Sequence, residues 1–344
     1  LVWTKTILDQ FDSTEEGFYF VRFFFASLSE LFATRRVESE EDPKSMVLDA
    51  IRNEPSIIRI EENLLYMYSE YISNCNVTIS REKDELDEKD GRFKAWTLQD
   101  YKDFMLSTRY AALTDHYFII GNLQKGREIL DRALEVFPTN SFAIAQKALF
   151  ELYQNQNPLG AEHMLKVALT YSEGQYGNTP IAKIVLFTIY GGLADIYRQR
   201  GIYNMAVEYL TKIIDLDISP LHNSLMYLNR GKIELDMNDL NSAVDDTLLA
   251  TDSPDPDIQS RAHVNLGKIY FRQGLYDQAK ENIIEAIKLN PHIPESYYNM
   301  GVLTETMGEK EQAKKLFQTA IGINVNYAEA RYALDQLDQR KIKS

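Results

Sequence analysis

SRAHVNLGKIYFRQGLYDQAKENIIEAIKLNPHI (260–293) runs directly into PESYYNMGVLTETMGEKEQAKKLFQTAIGINVNY (294–327), and the two stretches superimpose without a gap. Gly267 falls on Gly301, Gly274 on Gly308, Ala279 on Ala313 and Ala286 on Ala320, a period of 34. The same skeleton continues upstream. Tyr227, Gly231 and Ala243 mark a repeat over 224–259 with a slightly longer loop, and Tyr190, Leu193, Tyr197, Gly201 and Ala206 mark one over about 187–223. Ala161 and Ala168 mark a weaker one over about 141–175. Tyr110, Leu113, Tyr117, Gly121, Gly126, Ala133 and Pro138 mark another over 107–140.

This skeleton describes a helix–turn–helix unit. Large residues at repeat positions four, seven and eleven share one helical face. Small residues at eight, twenty and twenty-seven let two helices approach closely. Glycine near position fifteen suits a helix C-terminus, where a left-handed backbone costs it little. Proline near thirty-two, as at Pro138 and Pro291, ends the second helix. One such unit cannot bury its own apolar face, so neighbours must stack. These residues resemble the tetratricopeptide repeat family over roughly 107–327. The expected fold is all-α: a right-handed α-solenoid of about six tandem repeats.

Residues 1–106 read as an irregular helical region that includes degenerate repeats. Phe18–Phe32 carries apolar residues at helical spacing but is too short to span a bilayer. DAIRNEP (49–55) imitates the end of a second repeat helix, which makes Phe18–Pro55 a candidate degenerate repeat, and Ile57–Ile72 reads as a further helix. REKDELDEKDGRFK (81–94), dense in charge and sparse in apolar residues, reads as a solvated loop. Thr97 is placed as a helix N-cap, with Asp100 three residues on. Residues 176–186 read as a loop between repeats with a longer helix following it. Residues 328–344 read as a capping helix with a polar outer face, which solenoid ends require.

Composition removes several classes of function. The chain has 344 residues, 37 Lys+Arg against 51 Asp+Glu and a net charge of −14, so it lacks the cationic field of a nucleic-acid binder. Its 16 glycines and 10 prolines are too few for a turn-rich β fold. One cysteine excludes a disulfide framework or a multi-cysteine zinc site, and fits a cytoplasmic chain and a periplasmic one alike. Membrane association is expected only indirectly or through a segment outside this sequence. The five histidines (His116, His163, His222, His263 and His292) have no metal-ligand spacing, and His263 is expected to pack in a core. There is no phosphate-binding glycine loop. Asp252, Asp255 and Asp257, interrupted by prolines, read as a linker rather than a calcium loop. No cofactor, metal or catalytic constellation is expected, and the chain is read as a non-enzyme.

The resemblance implies that first helices line a concave groove through positions two, five, six, nine, twelve and thirteen. Position six is Asn in three successive repeats: Asn229, Asn265 and Asn299. Amides both donate and accept, so such a ladder suits an extended peptide backbone. Arg198, Lys232, Arg261, Lys268 and Arg272 occupy neighbouring groove positions and would favour an acidic ligand. Asn265, Lys268 and Arg272 are expected to face solvent in the free protein. The lysine of the family's carboxylate clamp is replaced at position five by Leu228, Val264 and Tyr298, which argues against a standard chaperone-tail receptor. The expected function is binding of a protein or peptide segment in this groove. The alternative is a structural scaffold subunit in a larger, membrane-associated assembly.

Overall fold

The structure, a computed structural model, describes residues 76–342 apart from 120, 121 and 178, together with residues 65, 69, 72 and 73. The expectations for Phe18–Phe32 and Phe18–Pro55 lie outside the described residues. Of Ile57–Ile72, residues 65, 69 and 72 are described, and all three are helical. The described residues form fourteen helices and no strand. These are α1 (Asn76–Asp90), α2 (Leu98–Ile119), α3 (Leu123–Val136), α4 (Ser141–Tyr153), α5 (Pro158–Tyr176), α6 (Pro180–Gln199) and α7 (Tyr203–Asp215). They continue with α8 (Pro220–Asp236), α9 (Leu240–Thr251), α10 (Pro256–Arg272), α11 (Tyr276–Leu289), α12 (Pro294–Thr306), α13 (Lys310–Ile323) and α14 (Ala328–Ile342). The chain is an α-solenoid of helix–turn–helix repeats. It divides into two compact units, 1–196 and 197–344.

In the second unit, helices alternate with loops of three or four residues. Each turn inside a repeat is closed by one residue in the left-handed region: Gly201 (φ 70°), Asn238 (φ 62°), Gly274 (φ 76°) and Gly308 (φ 89°). Glycine takes this conformation without a Cβ clash, and Asn is among the few other residues that visit it routinely. Position eight has a different requirement. A Cβ on Gly231, Gly267 or Gly301 would stand 2.6 Å from Thr247 Oγ1, 2.6 Å from Ile283 Cγ1 or 2.5 Å from Phe317 Cε1. Each first helix therefore lies against the large residue at position twenty-four of its partner. Ala279, Ala286, Ala313 and Ala320 are fully buried on the same interface.

The core of this unit is a chain of small clusters rather than one centre. Ala279 and Ile283 pack with Met300 and Leu303 of the next repeat. Ala313, Phe317 and Ala320 pack with Ala330 and Leu337, so α14 covers the last repeat's apolar face. Enlarging the alanines should overpack these contacts. Ala279→Leu and Ala313→Leu are each expected to cost about 1–3 kcal/mol, measured as a lower urea midpoint. Midpoints equal to the parent's would show that the repeat register is wrong.

The first unit corrects two expectations. Residues 81–94 are not a solvated loop, because α1 runs through Asp90 and ends at Gly91 (φ 71°). Lys83 is buried with its Nζ 2.7 Å from Asp87 Oδ2, and Asp87 Oδ1 accepts the Phe93 N–H at 2.7 Å. The charges satisfy one another along the helix, which is what lets so polar a sequence pack. Phe93 then anchors an aromatic cluster, with Trp96 at 5.0 Å and Tyr101 at 4.9 Å. Phe104 extends it to Phe137 at 5.7 Å and Tyr176 at 5.2 Å. The loop expected in 176–186 is confined to residues 177–179, since α5 reaches Tyr176 and the longer helix expected after it, α6, already begins at Pro180. Proline at a first helical position needs no N–H partner, so it starts the helix there.

Local capping agrees with the residues present. Thr97 Oγ1 accepts the Asp100 N–H at 3.1 Å, while Asp100 Oδ2 accepts the Thr97 N–H at 2.8 Å. The Thr97 hydroxyl, which donates to Asp100 Oδ2 at 2.7 Å, and then the Thr97 N–H hold the Asp100 carboxyl below the usual carboxylate range. Ser107 Oγ donates to the Ala133 carbonyl at 2.7 Å, and Ser260 Oγ donates to the Ala286 carbonyl at 2.8 Å. Both bonds join positions one and twenty-seven of a repeat. Among the described residues, no helix is long and apolar enough to cross a membrane.

Candidate functional site

The first helices α8, α10 and α12 of the second unit pack on one another in sequence, α8 on α10 and α10 on α12. The three asparagines at position six sit on these helices at different depths. Asn229 is exposed, Asn265 is 9% exposed and Asn299 is half-buried. The expectation that Asn265 faces solvent is therefore wrong. The close approach of α10 to its neighbours, with Ala262, Val264, Leu266 and Gly267 all buried, encloses it. The Asn299 amide nitrogen is buried and meets no acceptor.

The cations are less free than their positions in the sequence suggest. Lys268 on α10 makes an ion pair with Glu295 on α12. Arg272 Nη1 donates to the Leu235 carbonyl at 2.7 Å, satisfying an acceptor in the last turn of α8. These two side chains tie three successive first helices together. Exposed Arg261 pairs within its own helix, its Nε 3.0 Å from Asp257 Oδ2. Lys232 on α8 and Arg198 at the end of α6 are exposed.

Toward α14 the face becomes aromatic and acidic. Tyr298 at position five packs 5.7 Å from Tyr327 and 5.8 Å from Phe317. Burial raises the Tyr298 hydroxyl above its ordinary range, and the charges of Glu329 and Glu305 add to the shift. Tyr327 is raised further, first by burial and then by Glu295 and Glu329. The counter-charge Glu295 escapes a reading made repeat by repeat, because it lies at position two of the repeat after Lys268. A position-nine lysine followed by a position-two glutamate was the available signal.

The remaining candidates do not form a reaction centre. His263 is half-buried, with Nδ1 2.9 Å from Asn282 Oδ1. His222 packs on the cap residue Ser219, Nδ1 to Oγ 2.7 Å, and burial lowers its pKa. His163 and His292 are exposed. Asp255 caps α10 by accepting the Asp257 N–H at 2.8 Å, so the acidic linker ends in a helix start. Among the described residues, no group of three or more His, Cys, Asp or Glu could hold a metal ion.

Comparison with known proteins is consistent with this architecture. Tetratricopeptide repeat models match residues 260–293 and residues 187–217 and 294–327. No curated protein matches the chain. Among solved structures, Pseudomonas aeruginosa pilF is 16% identical with a TM-score of 0.51, over 67% of this chain and 97% of that one. A chain of the APC/C hetero-tetramer Cut9–Hcn1 is 13% identical with a TM-score of 0.51, over 94% of this chain. The match spans 63% of that longer chain. At these identities the likeness concerns the fold.

Proposed function

We infer, for a chain that belongs to the tetratricopeptide repeat proteins, that it captures an extended segment of a partner protein on the first-helix face of α8, α10 and α12. The general role of such repeats is protein–protein interaction rather than catalysis. The observation that carries the specific reading is the asparagine ladder, whose last member holds an amide nitrogen without an acceptor. An unpaired buried donor costs about 1–3 kcal/mol, and a small side-chain rotation would offer it to a backbone carbonyl of a ligand. The ligand chemistry proposed is acidic. Such a segment would engage Lys232 and compete with Glu295 for Lys268.

The test is to pan a random peptide display library against the full chain and titrate the enriched peptides by calorimetry. Enrichment of acidic peptides is expected, with binding weakened strongly by joint Lys268→Glu and Arg272→Glu reversal. Added salt should also weaken it, because exposed charges are screened over about 8 Å at physiological ionic strength. Asn229→Ala, at the exposed member of the ladder, should weaken binding by about 1 kcal/mol. Asn299→Leu separates binding from folding: it should weaken the peptide while leaving the free chain at least as stable. Undiminished binding by the reversal variant would overturn the acidic-ligand reading. Groove variants silent toward a natural partner would favour a scaffold role instead.

A further inference from the structure

The pair α8–α9 has charged residues in its interior where the two following pairs do not. At positions seven, eleven and twenty-four, α10–α11 carry Leu266, Tyr270 and Ile283, and α12–α13 carry Met300, Thr304 and Phe317. Here those positions hold Arg230, Glu234 and Thr247. Arg230 Nε donates to Asp246 Oδ2 at 2.5 Å and Nη2 donates to Oδ1 at 2.7 Å, a two-pronged pair between α8 and α9. Its Nη1 donates to Thr211 Oγ1 on α7 at 2.8 Å. Glu234 stands one helical turn beyond Arg230 and is buried, with the Asp246 charge acting on it. Two carboxylates can only accept, and Glu234 Oε2 accordingly meets no donor. A proton removes the conflict. It makes Glu234 a donor to Asp246 and leaves one cation against one anion.

We propose that Glu234 holds a proton toward Asp246 beside Arg230, and that releasing it as pH rises loosens α9 from α8. This device goes beyond the groove reading and does not depend on it. The groups facing Glu234 carry both signs. On its own helix are Arg230 and Tyr227, whose ring lies 5.6 Å from the guanidinium. On α9 are Asp246 and Thr247, with Asp239 at the N-cap. Thr211 comes from α7, and Arg272 of α10 reaches the neighbouring Leu235 carbonyl. Burial first, then the Asp246 charge, push the Glu234 carboxyl up to about 7, although Arg230 acts against them. The folded chain thus holds this proton more tightly than the unfolded chain. The resulting stability is full below the ordinary carboxyl range and is lost as pH rises through about 7.

Hydrogen exchange of the full chain, corrected for the intrinsic pH dependence of exchange, tests the proposal. Protection of α8 and α9 should fall about tenfold between about pH 6 and about pH 8, while protection of α12 and α13 stays level. In Glu234→Gln the side-chain amide donates permanently to Asp246, so the fall should disappear. Infrared difference spectra supply a second measurement that needs only the parent. A buried protonated carboxyl band should titrate near neutrality in the parent and be missing from Glu234→Gln. A level parent profile, an equal fall in Glu234→Gln, or no such band in the parent would each overturn the proposal.

Discussion

Phe317→Ala is expected to destabilise the second unit by about 3–5 kcal/mol, the usual range for deleting a buried phenyl ring. Phe317 is fully buried, and its ring lies on Gly301, where even a single added Cβ would collide with it. It also meets Tyr298 and belongs to the cluster that α14 closes with Ala330 and Leu337. Glycine on one side and alanines at 313 and 320 on the other offer no side chain able to move into the hole. Most of the cavity should therefore persist and be felt in full. Urea unfolding monitored by circular dichroism is the measurement. A loss below about 1 kcal/mol would mean that α13 can collapse onto α12, contrary to this packing.

Arg230→Met should have an effect of similar size for a different reason. Removing the guanidinium leaves Asp246, whose side chain is 7% exposed, as a buried charge without its partner, which typically costs about 3–5 kcal/mol. Thr211 also loses its donor. The diagnostic companion is the joint variant Arg230→Met with Asp246→Leu. Replacing both charges by apolar groups of similar size is often neutral or stabilising. The joint variant should recover most of the loss, and its failure to do so would show that the pair holds α7–α9 together by more than mutual neutralisation.

Much of the fold was legible because 260–293 and 294–327 repeat the same residues in the same places, and one period is enough to place helices, turns and small-residue contacts. What escaped the sequence is what depends on contacts between distant positions. The cluster of Phe93, Trp96, Phe104, Phe137 and Tyr176 joins α2, α3 and α5 with the turn before them, and no local spacing announces it. The charge density of 81–94 hides a helix because a carboxylate in sequence carries no sign of its partner, whereas Asp87 serves Lys83 and the Phe93 amide. At the candidate site, the repeat pattern located Asn265, Asn299, Lys268 and Arg272. It did not reveal that Glu295 and the Leu235 carbonyl already engage two of the cations. Arg230 and Glu234 were likewise hidden, at positions where the pattern anticipates large apolar side chains.

The glycine contacts bear on how a chain of this kind can lengthen. Gly231 is matched to Thr247, Gly267 to Ile283 and Gly301 to Phe317, so each protrusion and its recess are encoded within a single repeat. Recombination at a repeat boundary would copy both halves of the match together, and a duplicated module would arrive already fitted to itself. A crossover inside a repeat would set one module's recess against another's protrusion, threonine for phenylalanine at the extreme. Whole-unit gain or loss is thereby the tolerated form of genetic change. The ties that cross a boundary, among them Lys268 to Glu295, Arg272 to Leu235 and the packing of Ile283 on Leu303, are what a new neighbour would have to replace.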